Sequence, residues 1–286
     1  IDPATPREAE RYLEVIKAAN NLGKRVVCSR ALRDHLKTLN LDYTVELISE
    51  ENQLEKQYGK DNLLSIHAPI IVSASEGEDC SKLEVQLLLK TFLEKNGYNA
   101  SFICSNDYGK LFGMHTIPSY AFSNSRSLER KVIDFNHYVY DIYMEEKPDV
   151  IVVGIPGGLS RLNNAFTNHF SEIALVISNA VDIDCGLINL YFDTRCSRKM
   201  IEKYKQCCSI KYAIPFVEMI YSRQRVLFDI EEEWFDIYHL DENIMNNEKF
   251  KLFFESSGVT NIADSEAIDR SFKRIPNTLQ TNPNTI

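Results

Sequence analysis

The stretch PIIVSASEGEDCSKLEVQLLL, Pro69 to Leu89, decides how this chain is read. It opens as a buried strand, passes through a turn containing Gly77 and Lys82, and continues as a helix. A strand that stops abruptly, backbone N–H groups curling around an anion, a lysine near the phosphates and a helix N-terminus are the parts of a phosphate-binding loop. The outline fits and the details depart. The working pattern is G-x-x-x-x-G-K-[ST], whereas here Ala74 or Ser75 stands near the first glycine position, Ser81 precedes Lys82, and Leu83 replaces the magnesium-binding hydroxyl. Glu76, Glu78 and Asp79 line the turn, where they would repel a triphosphate. The plainer reading of those acids is that they cap and solvate the start of a helix.

Outward from this stretch the rhythm is strand, helix, strand. Apolar strands are expected over 69–74, 99–104, 149–155, 185–193 and 216–222, with helices over 80–96, 127–145, 171–180 and 197–209. Such alternation implies an α/β fold with a mainly parallel wound sheet, here a P-loop NTPase-like domain over 65–229. Ahead of it, a helix over Thr5–Asn21, a strand over 24–29, a helix over 31–39 and a strand over 43–49 read as a partial Rossmann-like βα segment within 1–64, closing in a charged connector. Residues 230–286 read as an extension with a short strand, helices over 247–257 and 263–274, and a disordered polar tail from Ile275. The terminus IDPATPREAERYL has no signal-peptide pattern and no methionine start, and reads as a chain that begins inside a longer protein.

Composition narrows the classes. Hydrophobic residues make up 44% and charged residues 26% of 286, and no apolar run is long enough to span a membrane, so a cytoplasmic protein is expected. A net charge of -9 argues against nucleic acid and anionic membranes as partners and favours basic segments on a protein partner. The seven cysteines form no C-x-x-C pair, no zinc spacing and no even set, which fits a reducing compartment and no metal. Cys80, at a helix start among carboxylates, is weighed as a nucleophile and set aside on its opposed electrostatics.

In parallel sheets, ligands bind beyond the carboxyl ends of the strands. The loops expected to converge there carry the candidate binding residues Gly77, Ser81 and Lys82, then Asn106 and His115, then Gly154, Gly157, Gly158, Arg161 and Asn163. Lys110, Asp107 and His169 are expected at the same rim, His169 and His115 as weak metal or acid–base candidates. The glycines allow backbone N–H groups close to a ligand, or simply a tight turn. The strand DVIVVG lacks the terminal acid that orients a metal in P-loop enzymes, which disfavours hydrolysis. No catalytic triad, helical His pair or glycine–serine elbow is present, so catalytic residues and cofactor stay unassigned.

With these pieces placed, the lysine loop, GKLFGMHTIPSYAF and KPDVIVVGIPGGLSRLNNAFTNHFSEIALVISNAV together resemble the clostridial peptide maturation system proteins, over roughly Thr5 to Phe228. That family is longer at its front and accompanies small cysteine-rich, bacteriocin-like precursor peptides together with radical-SAM and acyl-carrier-like proteins. The resemblance implies a degenerate P-loop with Lys82 as its lysine, and an accessory role in maturing a ribosomally synthesised, modified peptide. The precursor peptide, peptide-modifying enzymes or a small ligand are the implied partners. The competing reading is a nucleotide-dependent transferase or ligase acting on the peptide.

Overall fold

The computed structural model describes residues 6–28, 33, 36, 45–48, 58–59, 61–164, 167–229 and 234–281. They fall into two compact units, Ile1–Lys56 with Asp107–Gly113, and Gln57–Asn106 with Met114–Ile286.

In the first unit, helix α1 (Pro6–Asn21) precedes strand β1 (Val27–Cys28), which pairs in parallel with β2 (Glu46–Leu47). Ile16, Cys28 and Leu36 are buried together, with Tyr12, Leu13, Val26, Val45 and Leu47 packed on them. A parallel pair needs a crossover between its strands, as the βα reading requires. The helix expected over 31–39 and the connector over 50–62 lie largely outside the described residues. A 3₁₀ turn over Asp107–Phe112 completes this unit.

The second unit is built on strand β3 (Ile70–Ser75), all six residues of which are buried. A strand covered on both faces buries side chains on both, and here one face is apolar throughout while the other pairs Ile71 with the small residues Ser73 and Ser75. Ile70, Val72 and Ala74 enter one hydrophobic cluster and Ile71 the other. The remaining members are helix α2 (Lys82–Lys95), β4 (Ala100–Cys104), β5 (His115–Thr116), helix α3 (Leu128–Glu146), β6 (Val150–Gly154), helix α4 (Glu172–Ala180) and β7 (Cys185–Leu190). Helix α5 (Arg198–Tyr212), β8 (Val217–Tyr221), helices α6 (Glu242–Met245) and α7 (Glu248–Ser257), strand β11 (Thr260–Asn261) and helix α8 (Ser265–Thr281) complete the layered core. The seven strands are all parallel in the order β11-β8-β7-β3-β6-β4-β5, with β3 at the centre. A strand followed by a lysine-bearing turn and a helix, set centrally in a parallel sheet with helices on both faces, is the P-loop NTPase-like α/β fold. A separate antiparallel hairpin joins β9 (Gln224–Asp229) to β10 (Trp234–His239).

Residues beyond 229 join this core through β11 and α8. The disordered tail expected from Ile275 is corrected: α8 runs to Thr281, and Ile268, Phe272 and Ile275 are buried against α2 and the sheet, with Leu279 packed at the margin. Spacing of four, three and four residues places them on one helical stripe, which outweighs the polar tail composition and Pro276. Residues 282–286 lie outside the described residues. Phe253, Phe254 and Phe250 ring Phe192 with centroids 5.2–6.1 Å away, so these aromatics cover the core edge. Among the described residues no helix is long and apolar enough to cross a membrane.

Candidate functional site

Because β3 and β6 are paired neighbours, with Ser73 opposite Gly154, the turns that leave their carboxyl ends meet. The turn after β6 is zipped onto β3 by Ile155 N–H to Ser73 O (2.8 Å) and Leu159 N–H to Ser75 O (2.9 Å). The lysine loop occupies residues 76–81. Counting back from Lys82, the first glycine position of the motif falls on Glu76, since Ala74 and Ser75 still belong to β3.

Lys82 points inward. Its ammonium donates to Gly157 O at 2.5 Å and approaches Gly77 O at 3.5 Å. Ser75 Oγ donates to Gly77 O and lies 3.3 Å from Gly157 O. Two carbonyls thus hold the cation, and loop and turn are clasped together. Burial lowers the lysine's pKa below its ordinary value, while Cys80, Glu78 and Asp79 pull it back up.

The loop is shaped by side chains that sequence reasoning missed. Tyr191, just past β7, donates its hydroxyl to Glu78 O, and its ring fills the space a side chain at Gly77 would need. Asn189 Nδ2 donates to Cys80 O at 2.8 Å, and Asn168 Nδ2 donates to Glu76 O at 3.2 Å and to Ser160 O. A Cβ on Gly158 would fall on the Glu76 carbonyl and the Asn168 amide, so a close approach fixes glycine there. Asn168 opens a turn, Asn168 to Ser171, in which four successive non-glycine residues take φ of 49–62°. Left-handed backbone is unfavourable for such residues, and this turn leaves Phe170 68% exposed.

The carboxylate at the first glycine position is Glu76. Its side chain accepts the Tyr191 N–H at 3.3 Å, and burial, then Asp193's charge, raises its pKa against that hydrogen bond. Cys80 is buried, its thiol 3.4 Å from Ser222 Oγ, and burial pushes it up to about 12, so it is no thiolate at neutral pH. Ser81, at φ 51°, donates to Gln224 Oε1 at 2.8 Å.

Gly154 is confined by Gln86 and the Ser105 N–H, either of which a Cβ would strike. Gln86, on α2, accepts from Ser105 N–H and Oγ and donates to Ile103 O, each at 3.4 Å. Its signal in the sequence is a glutamine among the apolar positions of a helix face, one turn after Lys82.

The other expected residues are more scattered. Asn106 follows β4 on the carboxyl-end side, 3.8 Å from Cys104 Sγ. Arg161 reaches Asn164 at 3.5 Å in the turn that also holds Asn163. His115 is set on the edge strand β5, where Nε2 lies 2.6 Å from Glu146 of α3, a carboxylate that Ser101 also engages. Its partner is therefore a carboxylate at the sheet edge and not the loop. Lys110 and Asp107 belong to the other unit.

The fit of a magnesium nucleotide fails on these residues. Leu83 offers no hydroxyl, Gly154 ends β6 without an acid, Glu76 brings charge of the wrong sign and the lysine is held by carbonyls. Among the described residues no group of three or more His, Cys, Asp or Glu side chains is placed to hold a metal.

No protein-family model matches the chain, and no curated protein matches it. Among solved structures it is similar to a DUF1611 family protein from Anabaena variabilis, at 12% identity and TM-score 0.48, covering 92% of this chain and 75% of that one. A plasmid partition protein from Borrelia burgdorferi is 13% identical at TM-score 0.43, covering 72% and 99%. The MinD cell division protein of Aquifex aeolicus is 14% identical at TM-score 0.41, covering 73% and 98%.

Proposed function

We propose that this chain is an accessory binding protein in the maturation of a ribosomally synthesised, bacteriocin-like peptide, acting in the cytoplasm without nucleotide hydrolysis. The observation that carries the non-hydrolytic part is the clasp of Lys82 on Gly157 O, with Glu76 in the place of the loop's first glycine. A loop whose own carbonyls satisfy its cation is a structural joint between β3 and β6, and the rim it stabilises is a rigid platform for recognition. The peptide part rests on the sequence resemblance, and free cysteines fit a reducing setting.

Titration calorimetry with Mg-ATP and Mg-GTP tests the first part. No measurable heat is expected. A micromolar dissociation constant abolished by Lys82→Ala would overturn it and bring forward the transferase or ligase reading. The second part is tested by pull-down of the cognate precursor peptide at low salt, with loss of capture expected for Gly157→Asp. Conversion of the precursor by the purified protein to a product of altered mass would replace the accessory role with an enzymatic one.

A further inference from the structure

Helix α5 is out of keeping with the rest of the molecule. Residues 195–211 hold six basic side chains and one acidic one, a local charge of +5 in a chain of -9, so the remainder carries -14. The helix buries Ile201, Cys208 and Tyr212 against the core and turns its other side outward. There Met200, Lys203, Cys207 and Ile210 follow one another at spacings of three, four and three, a single helical face. Met200 is 55% and Ile210 86% exposed. Lys199 and Arg198 flank this stripe at its start and Lys211 at its end.

The charges are placed against the helix's own interest. Arg198 and Lys199 occupy the first turn, which holds no acid, where the dipole disfavours cations. Lys199 and Lys203 are like charges four residues apart, which also disfavours the helix. Among the described residues Arg198, Lys199 and Lys203 make no ion pair, whereas Arg195 pairs with Asp193 and Lys205 with Glu202. Cations that neither serve the helix nor neutralise a neighbour are poised for something outside it.

We propose that the outer face of α5 docks an acidic amphipathic helix of a protein partner, carboxylates meeting Arg198, Lys199 and Lys203 and apolar side chains covering Met200, Cys207 and Ile210. Charge complementarity selects the occupant. Screening limits a short acidic helix to the local +5, while a long polyanion or an extended anionic bilayer also meets the remaining -14. The exposed stripe has no aromatic on which a base would stack, and its apolar members suit a side-chain surface. Since α5 follows the carboxyl end of β7, its first turn begins on the same side of the sheet as the lysine loop. The proposal does not depend on the reading of that loop.

The probe is a synthetic amphipathic peptide of Glu, Leu and Ala, followed by fluorescence anisotropy against the full chain. Binding is expected at about 20 mM salt and its loss at about 500 mM. Lys199→Glu with Lys203→Glu should weaken binding about tenfold or more while leaving the melting temperature equal to or above that of the parent, because the like-charge pair only changes sign while an acid replaces a cation in the first turn. Lys199→Ala with Lys203→Ala serves if the reversal does not fold. Bound peptide should also slow alkylation of Cys207, the exposed thiol of the stripe. Equal affinity in parent and variants, no binding at low salt, or unprotected Cys207 would overturn the proposal. So would tighter binding of anionic vesicles or a single-stranded oligonucleotide than of the peptide.

Discussion

At Glu76 a carboxylate stands where a loop of this shape ordinarily carries no side chain, and burial makes its charged form costly. Burial first and Asp193 second raise its pKa above the ordinary 4.5. An acid whose folded pKa is raised binds its proton more tightly in the folded state, so its contribution to stability is complete below the unfolded pKa and is lost as pH rises through the folded one. Glu76→Gln keeps an oxygen for the Tyr191 N–H and removes the charge. At pH 7 it is expected to raise the melting temperature by about 2–4 °C, the shift that about 1 kcal/mol gives in a unit of this size. Calorimetry at pH 7 and again below the unfolded pKa checks this, the advantage being expected to vanish in acid. Cys80 is the instructive neighbour: the helix start is visible in the sequence, but the burial that silences its thiol is set by the packed fold, and it outweighs the hydrogen bond to Ser222, far along the chain, which pulls the pKa back down.

Among the elements, the strands and helices of the main sheet were legible because each carries its periodicity within itself. Strand β3 carries Ile70, Val72 and Ala74 on one face and Ile71 on the other, and α8 repeats Ile268, Phe272 and Ile275 on one. In the tail, polar composition and helical periodicity point in opposite directions, and the periodicity decides the structure. The site was less legible, because its shape is set by residues from other elements: Tyr191 after β7, Asn168 in the left-handed turn and Gln86 on α2. His115 shows the converse, an attractive loop histidine whose partner, Glu146, ends a helix 31 residues later. The turn after β6 offers a direct test. Gly158→Ala would drive a methyl into the Glu76 carbonyl, a backbone atom that cannot swing aside. It is expected to destabilise the protein by about 1–3 kcal/mol, measured by urea denaturation, whereas Gly157→Ala meets no neighbour within 4 Å and suffers only from its φ of 71°.

Over the whole molecule, the order β11-β8-β7-β3-β6-β4-β5 separates chain order from spatial order. Strand β3 is the first of the seven in sequence and the central one in space, yet both its neighbours come later, β6 with Ile151 opposite Ile70 and β7 with Cys185 opposite Ile71. The clasp of Lys82 on Gly157 closes a separation of 75 residues. Such pairings are reached only after a large loss of chain entropy, so folding is expected to be slow. A chain ending at residue 149, which has β3 but neither neighbour, is expected to show no cooperative melting transition and to bind a hydrophobic dye; a sharp transition in that fragment would show that the order of assembly is different. During synthesis the same geometry leaves IIVSAS waiting with both edges unpaired until the ribosome has delivered DVIVVG. A stretch buried throughout in the folded protein is thus left uncovered in the nascent chain, and its time to misassociate is set by the rate of translation.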